Sequence, residues 1–154
     1  MKKKILWILI CVLIVIVLLI CSLFMYHKNQ NSDKNYVVFE NKSFEVELAT
    51  TSDERQKWLM YREFLDEDKW MLFVFENEWH YNFWMKNTLI PLDMIWINDT
   101  NGENRVVDIQ TAHPCEVEDC PSYTPRGNAV YVLEINAWLA KKYDIKFWDL
   151  LYLK

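Results

Sequence analysis

The stretch Phe83-Trp84-Met85-Lys86-Asn87-Thr88-Leu89-Ile90-Pro91-Leu92-Asp93-Met94-Ile95-Trp96-Ile97 decides how this chain reads. Lys86, Asn87, Thr88 and Asp93 stand among residues that are otherwise almost wholly apolar. Polar groups lose free energy on leaving water, so these four must be paired or must line a site. The apolar flanks read as two strands, Tyr81 to Met85 and Leu92 to Ile97, with Asn87 to Pro91 as the turn between them.

Working outward, the same strand signals recur. Phe44, Val46 and Leu48 alternate with Glu45 and Glu47, the pattern of a half-buried strand. Trp70 to Phe75 is continuously apolar, as in a strand covered on both faces. Asp99-Thr100-Asn101-Gly102 is a hairpin turn leading into Val106 to Thr111. His113 to Gly127 is a long loop, Ala129 to Ile135 another strand, and Phe147 to Leu153 a returning last strand. Two short helices interrupt the series. Thr51 with Glu54 forms a capping box that opens the first, on which Arg55, Trp58, Leu59 and Arg62 share a face. Asn136 caps the second, which runs through Tyr143. These elements predict a mainly β fold with two short helices, an antiparallel β-sandwich or open barrel.

Before that domain, Ile5 to Tyr26 is a run of 22 residues without a charge. As a helix it spans about 33 Å, close to the hydrocarbon thickness of a bilayer. Lys2, Lys3 and Lys4 precede it and place the N-terminus in the cytoplasm. A retained anchor is the expected reading, because the run is longer than a usual signal-peptide core and lacks its small-residue exit; a cleaved signal peptide and a lipid-attached Cys21 after Leu18-Leu19-Ile20 are the alternatives. The expected organisation is a cytoplasmic N-terminus over residues 1–4, a single-pass anchor over 5–26, a polar linker over 27–35 and an exported domain over 36–154. The membrane, through residues 5–26, is the one partner this pattern specifies; protein partners are left undefined.

All 22 Asp and Glu follow the apolar run, against 14 Lys and Arg, so the expected exported part carries a formal charge of −8. Nucleic acid is excluded as a partner, because phosphate binding needs a basic footprint. With only 2 glycines in the chain there is no glycine-rich phosphate loop, and no cofactor is expected. Cys115 and Cys120, in a loop outside the cytoplasm, are expected to form a disulfide. The set His113, Cys115 and Cys120 lacks a fourth ligand and the usual spacing for zinc, so no metal site is expected. No serine stands on a nucleophile elbow.

Two carboxylates attract attention. Asp93 shares strand parity with Ile95 and Ile97, and Glu134 with Val130 and Val132. Each thus ends an apolar face, where ionisation is costly unless a cation is near. Arg55, Arg62, Lys86 and Arg126 are the candidate cations. The aromatic run Trp79 to Trp84 supplies core residues and, on one face, rings able to stack on a sugar.

Taken together, several motifs resemble one known family. They are Leu48-Ala49-Thr50 with Glu54-Arg55, Leu59-Met60 with Arg62, Met71 to Phe75, the Phe83 to Thr88 string with Pro91-Leu92-Asp93, then Pro114-Cys115, Cys120, Tyr123, Pro125, Ala129 and Val132-Leu133-Glu134. The set is similar to the family called domain of unknown function 192. That resemblance covers roughly Glu47 to Asp149 and implies a compact β-rich fold, with no reaction attached. The chain departs from the family pattern at Trp58, Trp70, Asp144 and Trp148, where the family shows Gly.

The expected function is a membrane-anchored, exported ligand-binding or accessory module of the cell envelope. Arg62, Lys86, Asn87, Thr88, Asp93 and Glu134 would form its cleft, and the ligand would be a saccharide or other small molecule. One alternative is a hydrolase or lyase acting on envelope saccharides, with Asp93 and Glu134 as catalytic acid and base. Another is a structural partner of a second envelope protein.

Overall fold

The structure is a computed structural model and describes residues 4, 7, 12–23, 34–40, 42–57, 59–117 and 119–154. The chain divides into two units, Met1–Lys34 and Asn35–Lys154. In the first, residues 12–23 are helical and exposed. Among the described residues no helix is long and apolar enough to cross a membrane. The expected span over 5–26 lies partly outside the described residues.

The second unit is a closed seven-stranded barrel. Its strands are β1 (Asn35–Phe39), β2 (Lys42–Ala49), β3 (Lys69–Trp79), β5 (Leu92–Thr100), β6 (Glu103–Ala112), β8 (Ala129–Asn136) and β9 (Leu150–Leu153). Around the wall they run β1-β2-β3-β8-β5-β6-β9. Two further strands, β4 (Phe83–Trp84) and β7 (Ser122–Tyr123), pair with each other in a separate two-stranded sheet. The sheet therefore closes where the sequence suggested a sandwich or an open barrel. Closure comes from β9, which pairs with β1 through Leu151–Leu153 and with β6 through Leu150 and Leu151. Pairing both outer strands removes the exposed edges that an open sheet would present.

All barrel pairs are antiparallel except β2 with β3. A parallel pair needs a crossover, and residues 50–68 supply it. The helix Ser52–Lys57 sits in that crossover. Its capping box forms as the sequence implied: the Glu54 N–H donates to Thr51 Oγ1 (3.3 Å), and Glu54 Oε2 accepts from the Thr50 and Thr51 N–H groups (2.9 Å each). These donors hold the Glu54 carboxyl below its ordinary pKa, the backbone of Thr51 contributing most. Among the described residues the helix spans Ser52–Lys57, and Tyr61 takes a positive φ of 63°. Arg55 and Arg62 consequently do not share a helical face, and Trp58 lies outside the described residues.

Strand alternation sorts the buried residues into two layers. Trp70 and Leu72 of β3, Ile95 and Ile97 of β5, and Leu133 and Ile135 of β8 join residues from the other four strands in one cluster, which fills the barrel. Met71 and Phe73, Met94 and Trp96, and Val132 point the other way and pack with Leu59, Leu65, Met85 and Ile90. The wall β3-β8-β5 is thus covered on both faces, which is why Leu92 to Ile97 is buried without interruption.

The second short helix is Leu139–Lys142, with Trp138 rather than Asn136 before it and no side-chain cap of its own. Asn136 remains in β8 and donates Nδ2 to the Leu65 carbonyl (2.6 Å). Asp144 and Trp148 have φ values of 58° and 75°, so the glycine that the resemblance implies at these positions would have a backbone reason. Trp70 instead is buried inside the barrel and stacks on Phe44, ring centroids 3.6 Å apart.

Candidate functional site

Glu134 is the most unusual side chain in the domain. It is 4% exposed and has neither a hydrogen-bond nor an ion-pair partner among the described residues. Burial alone pushes its pKa from 4.5 to about 8, so the carboxyl holds its proton at neutral pH. It belongs to the outward set of β8, opposite Met94 on β5 and Met71 on β3. There it opens onto a small pocket of about 40 Å³. A water needs roughly 10–15 Å³ by this measure, so the pocket takes a group of a few heavy atoms.

Three elements assemble the rest of that pocket. The crossover helix and the turn after it bring Arg55, Gln56, Leu59 and Met60; β3 brings Phe73; the opening stretch of the motif brings Phe83, Trp84, Lys86 and Thr88. Arg55 is held in place: its Nη1 donates to the Val74 carbonyl (2.9 Å) and to the Thr50 carbonyl, and its guanidinium lies over the Phe75 ring at 4.9 Å. Lys86 stands over the Trp84 ring, Nζ to centroid 5.5 Å, and its backbone bridges to Cys115. Trp84 itself is 48% exposed, a flat ring at the pocket's edge.

Of the six residues expected to share a cleft, Lys86, Thr88 and Glu134 do so. Asn87 forms the turn beside them, at a φ of 60°; its carbonyl accepts from the Tyr61 N–H (2.7 Å). Arg62 sits elsewhere, 3.3 Å from Glu47. Asp93 faces into the barrel end, 2% exposed, and both its oxygens are engaged. Oδ1 accepts from the Thr111 hydroxyl (2.7 Å) and Oδ2 from the Ala140 N–H at the start of the short helix (3.0 Å). Asp93 is therefore a structural cap. The expected acid/base pair of Asp93 and Glu134 is not assembled, because parity sends the two carboxyls to opposite faces of one wall.

Arg126 is likewise committed. It pairs with Asp108, which is 2% exposed, at 2.6 Å. Burial raises the Asp108 pKa, but hydrogen bonds from Gln110 Nε2 (2.8 Å), the Arg126 side chain and the N–H groups of Arg126 and Ile109 outweigh it, and the net shift is downward. Sequence reading missed Asp108, although its parity with the buried Val106 carries the same signal as Asp93 with Ile95. Gln56 was also missed; an exposed-looking glutamine one residue after Arg55 gives no sign of a pocket. Cys115 and Cys120 are joined by the expected disulfide. Among the described residues no three His, Cys, Asp or Glu side chains gather in a way that could hold a metal ion.

These features define a class: a closed seven-stranded barrel whose outer wall carries a buried acid beneath a small basic and aromatic pocket. The chain belongs to the DUF192 family, described as uncharacterized ACR, whose model matches residues 36–151. It is similar to a crystal structure of a protein of unknown function from Novosphingobium aromaticivorans DSM 12444, with 34% identity and a TM-score of 0.67 over 77% of this chain and 83% of that one. It is also similar to a protein from Sinorhizobium meliloti 1021 described as a candidate transcription regulator, with 31% identity and a TM-score of 0.64 over 77% of this chain and 91% of that one. No curated protein matches the chain.

Proposed function

We propose that the chain is a tethered, exported ligand-binding module of the cell envelope, and that the pocket above Glu134 is its binding site. One observation carries the reading. The Glu134 carboxyl, which has no partner among the described residues, lines a pocket that also receives Arg55, Lys86 and Thr88. Drawing a carboxyl this far from bulk water is unfavourable unless something in the pocket meets it, and an apolar residue would fill the place without that cost. A cost of that kind marks sites where a ligand or a reaction uses the group.

Export is supported by the uncharged run over 5–26 behind three lysines and by the Cys115–Cys120 disulfide, a bond that persists in oxidising compartments. A formal charge of −8 past the apolar run repels nucleic acid and speaks against the regulator role described for the Sinorhizobium protein. Two-carboxylate glycoside chemistry finds no support in a pocket whose lining holds one carboxyl.

The test is a binding screen of the full-length protein against envelope saccharides and small organic acids, read by thermal shift. Stabilisation by at least one ligand, lost in Lys86→Ala, is expected. A panel without effect on the parent protein would overturn the reading.

A further inference from the structure

We infer that the pocket holds the carboxylate group of an organic acid, seated between Lys86 and Arg55 with the Glu134 carboxyl at its floor. This inference rests on the proposed function and adds the chemical class of the ligand. Four observations lead to it. The first is charge. Arg55 and Lys86 are the cations of the lining and neither makes an ion pair among the described residues, whereas Lys69, Arg105, Arg126, Lys142 and Lys146 all do. The pocket is thus a basic spot on a domain of net negative charge, and it favours an anion locally where the surrounding field does not.

The second observation is the state of the acid. A carboxyl that keeps its proton is a hydrogen-bond donor, and a bound carboxylate oxygen is a strong acceptor for it. An ionised Glu134 would repel that ligand; a protonated one grips it. Among the described residues no other titratable group lines the pocket: the helix contributes Arg55, the turn region Lys86, β3 the ring of Phe73, and β5 faces Glu134 with Met94. The third is size. A volume of about 40 Å³ suits a planar group of three heavy atoms and leaves the ligand's stem outside. The fourth is the wall. Leu59, Phe73 and Phe83 are apolar, and the half-exposed Trp84 ring offers a face for that stem. An acidic sugar or a free aromatic or aliphatic acid carries the same carboxylate, so the experiment distinguishes these sources.

Calorimetric titrations of the full-length protein would use benzoate and glucuronate, their neutral counterparts benzamide and glucose, and inorganic phosphate, at pH 6, 7.5 and 9. At least one acid is expected to bind tenfold or more tighter than its neutral counterpart and than phosphate. Its affinity should fall about tenfold for each pH unit above 8, as Glu134 loses its proton. Lys86→Met, which keeps the stem over Trp84, should weaken the acid at least tenfold and leave any binding of the neutral compound unchanged. Glu134→Gln, still a donor, should bind the acid with no fall between pH 7.5 and 9. Equal binding of neutral and acidic forms, or preference for phosphate, would overturn this inference and leave the ligand-binding role standing. Silence from every compound would overturn this inference, and silence from the wider saccharide and acid panel as well would overturn both.

Discussion

Met94, and not Asp93, is the residue directly opposite Glu134 across the β5–β8 ladder; Asp93 faces Ile135. One position of register therefore separates the two carboxyls by the full thickness of the barrel wall. On the inner side Asp93 caps a short helix, and on the outer side Glu134 floors a pocket. The two most acidic-looking signals of the motif have different work, and mutation should separate them.

Asp93→Asn removes charge from an acceptor of two hydrogen bonds, from the Thr111 hydroxyl and the Ala140 N–H. The expected cost is about 1–3 kcal/mol of unfolding free energy, measured by urea denaturation. Ligand binding at the outer pocket should be unchanged in the folded fraction. A variant of unaltered stability that no longer bound ligand would reverse the assignment of the two acids.

Glu134→Gln should behave in the opposite way. Below about pH 4.5 the carboxyl is protonated in both the folded and unfolded chains. Between that pH and about 8 the unfolded chain releases the proton while the folded chain keeps it. This group therefore makes the fold less stable as pH rises across that window, by up to about 5 kcal/mol, and no further above it. The glutamine variant lacks the slope. Its stability should match the parent near pH 4.5 and exceed it at pH 8; parallel curves for the two proteins would show that Glu134 is ionised or solvated in the fold.

Asp108 titrates with the opposite sign. Its lowered pKa makes a contribution that is present above the unfolded value near 3.8 and is lost as the pH falls through the folded value. Asp108→Ala strands donors from Ile109, Gln110 and Arg126, so about 2–4 kcal/mol should be lost at pH 7. Arg126→Ala should cost less, about 1 kcal/mol. Its side chain is 73% exposed, and the remaining donors still satisfy the aspartate. Equal effects of the two substitutions in denaturation at pH 7 would show that the ion pair alone stabilises Asp108.

Much of this was legible in the chain because strand parity is a local property. Asp93 beside Ile95 and Ile97, and Glu134 beside Val132, marked both as buried acids, and the capping box at Thr51 and Glu54 needed only four residues to be seen. What could not be read was topology. Whether β9 meets β1 to close a barrel, and whether β2 pairs in parallel with β3, depends on contacts between residues far apart in sequence. Faces were visible strand by strand, but their relative orientation was not. Parity alone therefore groups Asp93 with Glu134 in one cleft and leaves Arg126 without Asp108. The glycine departures show the same limit. A φ of 58° at Asp144 is invisible in composition, so a glycine expected there reads as a packing choice when the backbone gives the reason. Asp144→Gly should accordingly stabilise the domain by about 0.5–1 kcal/mol in urea denaturation, despite losing an exposed pair with Lys146.

The disulfide and the pocket are mechanically joined. Cys115 closes a bond to Cys120 five residues on, and its backbone bridges to Lys86, the cation on the pocket's edge. A loop this short gives a chain-entropy stabilisation of only about 2 kcal/mol, at the low end for a disulfide. Its larger effect should be local, because the bridge is an isolated one and Lys86 makes no ion pair among the described residues. A Cys115→Ser, Cys120→Ser double variant should lose about 2 kcal/mol of stability. Binding of any ligand that engages Lys86 should weaken further than the unfolded fraction explains, while the Lys86→Met protein should gain no additional loss from the same two changes. Additive effects of the two sets of substitutions would mean that the loop stabilises the fold without positioning the lysine.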